Sequence, residues 1–474
     1  MSDQSKPGQI KPEPAQSADT RNPYTNGPLG PIFAKTALPI IFVMGMNGLL
    51  TVVDAMFLGR YVGTDALGAV TLIFPLFMLI VALATLVSNG MSSILARHLG
   101  AEDHDAAARV FVGAHGLALA VSLLLMAAYL LFGRSITLAL ASGSAPLADM
   151  GQTYLAITTF MTPIGFVLAV NSDALRNEGR VGFMAAMSLL VSLSNIGFNY
   201  ILIALMGLGV AGSAYGTALA QLLSLSIIIG FRIYGATSLR PHLLTQLPLT
   251  AFWTRILALG APQSLSFIGV ALGSAAVIFA LQLINTPTYE TTVAAFGIVT
   301  RLMTFMFLPL LGLTHALQSI IGNNYGAQEW HRSDQSLRLG MLIALLYCIA
   351  AQITFFFGSA PLTRLFVEDP AVSAELARIL PVNSAMLWLA GPVIVISSYF
   401  QAIGHATRAA ILSLSKTYLF SLPLTFALPS LVGEIGIWLA SPIADILAGF
   451  LALAVLWQTA RQLGVRWGLF TAPA

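Results

Sequence analysis

Three stripes of polar side chains interrupt the apolar segments in the first half of this sequence. Within each stripe the residues recur at intervals of three or four, which places them on one face of a helix. The stripes are Asn47, Thr51 and Asp54; Ser188, Ser192, Asn195 and Asn199; and Ser213, Thr217, Gln221 and Ser224. Because polar groups in hydrocarbon turn toward one another or toward water, we expect the three stripes to face a common interior.

Asp54 has the most demanding chemistry of these residues. An ionised carboxylate in the middle of a membrane costs about 2.5–3.5 kcal/mol on insertion scales, so such a group is a functional candidate in its own right. We predict a cation-coupling site, for a proton or Na⁺, from Asp54, Asn195, Asn199 and Thr217. The adjoining substrate cavity is predicted to include Asn47, Thr51, Ser192, Gln221, Arg301 and Asp445. The alternatives are helix packing for the polar residues and a capping or ion-pairing role for Asp54.

The second half of the sequence carries two isolated charges within apolar segments, Arg301 and Asp445. Opposite charges in a membrane tend to pair, so we predict an Arg301–Asp445 contact that clamps two helices, with substrate or ion contact as the alternative. The one cysteine, Cys348, lies in an apolar run, and the histidines form no metal-binding motif. No ATP-binding loop or hydrolase motif occurs in the sequence, so we expect neither an enzyme nor a cofactor.

The elements that position these residues follow from composition. Hydrophobic residues make up 57% of the 474 residues and charged residues 9%, whereas soluble proteins carry about 25% charged residues. A helix needs about 20 apolar residues to cross a membrane, so we predict an all-α integral membrane protein with twelve spans. They lie near 32–59, 67–96, 107–132, 151–174, 181–206, 209–233, 251–284, 292–321, 337–358, 379–403, 409–430 and 434–460.

The two sets of six spans are related in sequence. SSILARHLGAEDHDAA after span 2 aligns with QSIIGNNYGAQEWHRS after span 8, which pairs Gly100 with Gly326, and two further segments align at nearly the same offset. Since each half has six spans, both halves share one orientation, and we expect two pseudo-symmetric six-helix bundles around a central cavity.

Basic residues indicate the orientation of the chain. Most Lys and Arg residues, Lys416 among them, fall on the side of the amino terminus and of the loops after even-numbered spans, so both termini are predicted to be cytoplasmic. We divide the chain into a disordered cytoplasmic tail (1–30), a first lobe (31–235), a cytoplasmic linker (236–250), a second lobe (251–462) and a cytoplasmic tail (463–474). The expected location is the cell inner membrane.

Several segments resemble the MATE family of multidrug and toxin extrusion transporters. They are TVVDAMFLGRYVGTDALGAV, LRNEGR and GVAGSAYGTALAQ in the first half, and QSIIGNNYGA and YFQAIGHATRAAILSLSK in the second. The resemblance covers about residues 32–460 and is closer to the DinF/MepA-like branch than to the NorM-type branch. It implies a V-shaped pair of six-helix bundles that exchanges cationic, amphipathic drugs or toxins for protons or Na⁺.

The same resemblance assigns roles to particular residues. The acidic residue of the family's first helix falls on Asp54, the polar pair of its fifth helix on Asn195 and Asn199, and the hydroxyl of its sixth helix on Thr217. Asn199 stands where DinF-like relatives often have a second aspartate. The acids that NorM-type members carry in helices 7 and 10 fall near Val270 and Ala390. These departures argue against a full NorM-type carboxylate set and against Na⁺ coordination in the second lobe.

Two rival functions remain at this point. A lipid-linked sugar flippase of a related fold would line its cavity with several basic residues, whereas Arg301 is the only basic residue that we place in the membrane interior, since the others are counted with the two faces of the membrane. An intramembrane enzyme would need a pair of catalytic polar residues, and the sequence indicates none. We expect a monomer whose partners are small molecules and the lipid bilayer, and no nucleic acid, because the formal charge of +3 is spread over loops.

Overall fold

The computed structural model describes residues 22–141, 144–235, 237–284, 288–358 and 369–470. Within these ranges the secondary structure is helical apart from one antiparallel bridge between Arg466 and Phe470. Most of the predicted amino-terminal tail, residues 1–21, lies outside the described residues, as do residues 471–474 of the predicted carboxy-terminal tail.

Seven helices form the first lobe: α1 (Leu29–Tyr61), α2 (Thr64–Gly100), α3 (His104–Leu140), α4 (Ala145–Phe160), α5 (Thr162–Asn177), α6 (Val181–Leu205) and α7 (Gly209–Tyr234). A short turn, α8 (Leu243–Gln246), lies in the linker. The second lobe contains α9 (Trp253–Leu283), α10 (Tyr289–Gly326), α11 (Trp330–Phe357), α12 (Pro370–Asn383), α13 (Leu387–Ala402), α14 (Ala406–Val432) and α15 (Ile435–Leu463).

Twelve spans result when each bent helix pair is taken as one span. Among the described residues, 10 helices are long and apolar enough to cross a membrane alone, and the pairs α4/α5 and α12/α13 supply two more. The prediction of an all-α membrane protein with twelve spans is therefore confirmed. The fourth span, predicted as one helix, bends by 47° between α4 and α5. Pro163 lies in the first turn of α5, and a proline there cannot continue the hydrogen bonds of the preceding helix.

The second lobe repeats the irregularities of the first. Its tenth span bends by 52° between α12 and α13, in the place that corresponds to the bend of span 4. Spans 5 and 11 each contain a wide π turn, Tyr200–Leu205 in α6 and Ser415–Ser421 in α14. Such turns insert an extra residue into a helix and occur often at functional sites. The matching bends support the internal repeat, whereas the π turns differ in position, since one ends span 5 and the other lies in the middle of span 11.

The lobes meet closely at one end of the molecule, where α2 packs along α9 and α1 along α10. A Cβ atom on Gly100 would lie 2.0 Å from the carbonyl oxygen of Asn323, and one on Gly326 would lie 2.0 Å from that of Arg97. The two contacts are reciprocal, because Gly326 and Asn323 are the repeat partners of Gly100 and Arg97. Only glycine allows the two backbones to approach so closely.

We call this the closed end; it carries the loops 101–103, 178–180, 327–329 and 403–405. Among the described residues, every hydrogen bond between the lobes lies in the half of the molecule nearer to the closed end. The segment 22–28 packs here too: Tyr24 is buried, its hydroxyl donates to the carbonyl of Arg176, and its own carbonyl accepts from Asn324. Residues 22–28 are therefore ordered, and the predicted disordered tail over residues 1–30 does not include them.

Candidate functional site

Asp54 lies in the first lobe and is held by an asparagine of a neighbouring helix. Its side chain is half-buried on α1, and its Oδ1 accepts a hydrogen bond of 2.6 Å from Nδ2 of Asn199 at the start of the π turn in α6. Asn195, one turn earlier on α6, and Asn199 are both fully buried. Among the described residues, no basic side chain forms an ion pair with Asp54. The carboxyl group is therefore partly shielded from solvent, and no basic side chain among the described residues neutralises it.

The amide group of Asn195 joins Asp54 to α7. One of its two terminal atoms lies 2.9 Å from Asp54 Oδ1, and the other lies 2.9 Å from the hydroxyl of Thr217. With nitrogen toward Asp54, the amide donates to the carboxylate, but the same nitrogen then lies 3.1 Å from the Asn199 amide nitrogen, which cannot accept a hydrogen bond. With oxygen toward Asp54, the amide accepts from Asn199 at 3.1 Å, and two oxygens 2.9 Å apart require a proton on Asp54. The orientation with oxygen toward Asp54 satisfies Asn199 as well, and it fits a protonated Asp54.

The amide oxygen of Asn199 occupies a narrow space against α7. It is buried and has no hydrogen-bond partner among the described residues. A Cβ atom on Gly216 would lie 2.1 Å from this oxygen, so α7 needs a glycine here for Asn199 to reach Asp54. The sequence analysis did not identify Gly216, although it falls within the GVAGSAYGTALAQ segment. Tyr154 on α4 was also missed; its phenol lies within electrostatic range of Asp54.

The structure therefore brings together Asp54, Asn195, Asn199 and Thr217, the four residues of the predicted coupling site. The four first-lobe residues assigned to the substrate cavity, Asn47, Thr51, Ser192 and Gln221, do not join this cluster through any hydrogen bond of the described residues. Asn47 and Thr51 are exposed on α1, and the Thr51 hydroxyl donates to the Asn47 carbonyl. Ser192 is buried and bonds to Ser188 within its own helix. Gln221 is half-buried beside Gly165.

The predicted Arg301–Asp445 contact is wrong. Asp445, buried on α15, instead pairs with the ammonium group of Lys416 at 2.5 Å. Lys416 lies in the π turn of α14, inside the span, and not in a loop where its charge was counted. The pair is internal to the second lobe, and only the lysine side chain is partly exposed, at 29%. Arg301 is exposed on α10 and has no hydrogen-bond or ion-pair partner among the described residues.

A second polar cluster closes the gap between the lobes at the closed end. The guanidinium group of Arg176 on α5 donates from Nε to the Ser319 hydroxyl at 3.2 Å and from an Nη nitrogen to the Ser92 hydroxyl at 2.9 Å. Ser319 on α10 in turn donates to the side-chain oxygen of Asn177 at 2.8 Å. Asp173 neutralises the buried arginine at 2.6 Å. All members except Asp173 are buried.

Next to this cluster, Gln401 on α13 donates to the side chain of Asn89 on α2 at 2.7 Å and to the carbonyl of Leu259 on α9 at 2.6 Å. Gln318 on α10 donates to the same Asn89 oxygen at 3.0 Å. The sequence analysis assigned no role to these residues, although LRNEGR and QSIIGNNYGA had been noted. Polar residues in the last turns of spans 2, 4, 8 and 10 were the available signal.

No group of three or more His, Cys, Asp or Glu residues able to hold a metal ion occurs in the part of the chain that the structure describes. The cluster around Asp54 offers one carboxylate, two amides and one hydroxyl. Its chemistry suits the exchange of a single positive charge at the carboxylate.

Comparison with known proteins agrees with this architecture. The family model MatE matches residues 39–201 and 262–427, more than half of the chain, with one match in each lobe. The FAD transporter of Shewanella oneidensis is 26% identical over 442 residues, covering 90% of this chain and 94% of the relative. The multidrug export protein MepA of Staphylococcus haemolyticus is 25% identical over 434 residues, covering 90% and 93%.

Solved structures show the same fold. A MOP superfamily transporter from Pyrococcus furiosus superimposes with a TM-score of 0.83 at 23% identity, over 94% of this chain and 98% of that one. An outward-facing multidrug resistance transporter of the MATE family superimposes with a TM-score of 0.81 at 23% identity and the same coverage. Membership in a transporter family agrees with the expectation that the chain is not an enzyme. The chain belongs to the MATE family of membrane transporters, the family that its sequence resembles.

Proposed function

We propose that this protein exports cationic, amphipathic compounds in exchange for protons, and that Asp54 carries the exchanged proton. The observation that supports this most directly is the environment of Asp54. It is a half-buried acid inside a membrane helix, it contacts two buried asparagines, and no basic side chain among the described residues pairs with it. A group of this kind changes its charge without leaving its place. When Asp54 is protonated, it donates to the Asn195 oxygen, which also accepts from Asn199.

The proton is favoured over Na⁺ by the arrangement of the amides. Asn199 turns a nitrogen, not an oxygen, toward the carboxylate at 2.6 Å. A sodium ion at this position would meet a donor where it needs an oxygen ligand. The Asn199 oxygen that could serve instead points away, into the space beside Gly216.

The closed end is the cytoplasmic end under the positive-inside rule, since it carries the loops after even-numbered spans. The described structure then corresponds to an outward-facing state. In this state Asp54 takes up a proton from outside and the exported compound leaves. After the lobes rock about their contact, Asp54 releases its proton toward the cytoplasm and the carboxylate becomes available to a cation. Both termini lie in the cytoplasm in this scheme, and the protein is a multi-pass protein of the cell membrane.

The MepA relatives, which are named for multidrug export, support the choice of substrate. The Shewanella relative is named for a flavin dinucleotide, so substrate trials need anionic compounds as well as cationic ones. A lipid-linked sugar flippase is less well supported, because the described spans do not present several basic side chains to a common cavity.

Purified protein in liposomes with an internal pH dye tests the proposal. Adding ethidium should move protons in the wild type, with and without Na⁺, and Asp54→Asn should abolish that movement. Ethidium binding should fall in Asp54→Asn as well, because the neutral amide resembles the protonated acid, which releases the cation in this scheme. Asp65→Asn is the matched control, since Asp65 is an exposed acid at the start of α2. Proton movement that survives in Asp54→Asn, or that requires Na⁺, contradicts the proposal.

A further inference from the structure

We propose that Arg301 is an anion-binding residue of the transport cleft, so that the protein also carries amphipathic compounds with a carboxylate or phosphate group. This inference rests on the proposed transport function and adds a substrate class to it. We call the end of the molecule opposite the closed end the open end, and the cleft is the space between α1 and α10 on the open-end side of Gly48 and Leu308.

The side of α10 that bears Arg301 faces α1. Arg301, Phe305, Leu308 and Gly312 follow intervals of four, three and four and form one helical stripe. A Cβ atom on Gly312 would lie 2.7 Å from Ile41 of α1. A Cβ atom on Gly48 of α1 would lie 3.5 Å from Leu308 and 3.8 Å from Phe305. Arg301 continues this stripe toward the open end, beyond the last of these contacts.

Arg301 and Asp54 lie at nearly the same depth. The helices α1 and α10 run in opposite directions from their contact at Gly48. Asp54 is six residues beyond Gly48, or about 9 Å at 1.5 Å per residue. Arg301 is four residues beyond Phe305 and seven beyond Leu308, or about 6–10 Å. The two residues therefore lie at one level of the molecule, with Arg301 on the side of α10 that faces α1 and the carboxyl group of Asp54 turned into the first lobe toward α6.

The lobes have separated at this level. Val52 lies one turn beyond Gly48 on the α1 face that packs against α10 deeper in the molecule, yet it is 49% exposed. Phe305, on the Arg301 stripe, is 54% exposed. A guanidinium group turned to lipid is costly, whereas one that lines a water-filled cleft keeps its hydration. The exposure of Arg301 is accounted for by the cleft.

The charge of Arg301 is available to a ligand. Asp445 is the acid within the second lobe's spans that was expected to neutralise Arg301. It is already paired with Lys416 at 2.5 Å. Guanidinium binds carboxylate and phosphate through two parallel hydrogen bonds. The exposed ring of Phe305, one turn away on the same stripe, offers an apolar surface for the body of the ligand.

A pair of rhodamine dyes that differ only in a methyl ester tests the subsite. The free acid is a zwitterion and the ester is a cation. In liposomes, Arg301→Gln should lower kcat/KM for the acid at least about tenfold, the effect of one charged hydrogen bond, and leave that for the ester within about twofold. Arg301→Lys should lose less. The control is Arg134→Gln, which removes an exposed charge near the open end of α3 and should alter neither.

A second variant leaves Arg301 in place. Val52→Asp puts a carboxylate on the facing wall, where it should neutralise Arg301 and depress acid transport as Arg301→Gln does, while Val52→Asn should not. Riboflavin and its phosphate ester, measured in the same way, distinguish a phosphate preference from a carboxylate preference. Failure of the wild type to carry either anion, or equal acid transport in wild type, Arg301→Gln and Val52→Asp, overturns the subsite. Failure of the wild type to transport the ester, which is a cation, would instead contradict the proposed cation export.

Discussion

The hydroxyl group of Ser319 links the two lobes at the closed end, and its removal should shift the protein toward a conformation that is open there. Ser319 is fully buried on α10. It accepts a bond of 3.2 Å from the Arg176 guanidinium and donates one of 2.8 Å to the Asn177 side chain. Both partners belong to α5 in the other lobe, so both bonds are lost when the lobes separate at this end.

The magnitude follows from the two bonds. A hydrogen bond to a charged group contributes about 1.5–3 kcal/mol and a neutral one about 0.5–1.5 kcal/mol. Ser319→Ala removes one of each and leaves both partners buried in the closed arrangement. A loss of at least about 2 kcal/mol would change the ratio of the two conformations about thirtyfold. The substitution removes only one oxygen atom and leaves the helix intact.

Distances between spin labels measure this ratio. Labels on cysteines at His104 and Glu329 report the closed end, because both positions are exposed beside its loops, one in each lobe. The native Cys348 is buried and should not react. We expect a short distance to dominate in the wild type and a longer one to appear in Ser319→Ala.

Ser122→Ala is the matched control for this experiment, because the Ser122 hydroxyl is equally buried but bonds only within α3, at 2.8 Å. It should leave the distances unchanged. If the two alanine variants give the same distribution as the wild type, the polar cluster does not hold the lobes together and the reasoning fails.

Two further substitutions test the packing around the charged groups. Gly216→Ala should abolish drug-driven proton movement while the protein still folds, because its methyl group would occupy the place of the Asn199 oxygen and displace the amide from Asp54; unaltered coupling in a pH-dye assay would contradict this. Lys416→Met should lower stability by about 3 kcal/mol, because Asp445 would be left buried without its partner, and Lys416→Met with Asp445→Leu should recover most of the loss. Thermal unfolding in detergent measures both, and equal midpoints for the wild type and the single variant would exclude a buried ion pair.

The fold could be predicted largely from sequence because hydrophobic length decides what spans a membrane. The internal repeat could be predicted as well, and the reciprocal contacts of Gly100 and Gly326 agree with the alignment of those two residues. Breaks inside spans were less accessible. Pro163 marked the bend of span 4 as possible, but composition does not distinguish a kinked span from two helices.

The residues of the proposed coupling site could be predicted because helical spacing places them on common faces, and the resemblance assigned the same positions. The Arg301–Asp445 pairing failed because periodicity tells which face a charge occupies and not which helix that face meets. Lys416 seemed to belong to a loop, since it lies only ten residues into α14. The contact between Arg176 and Ser319 joins residues 143 apart in sequence, and no local pattern predicts it.

The two lobes share a fold and a symmetric contact at the closed end, yet their charged residues differ in a way that assigns them different tasks. Asp54 has only neutral partners among the described residues and can change its charge, whereas Asp445 is held by Lys416. In the proposed mechanism, proton binding is therefore a task of the first lobe. In this mechanism, proton binding at Asp54 affects the second lobe through α1, which carries Asp54 and packs against α10. On this argument, α1 connects proton binding to the movement of the lobes.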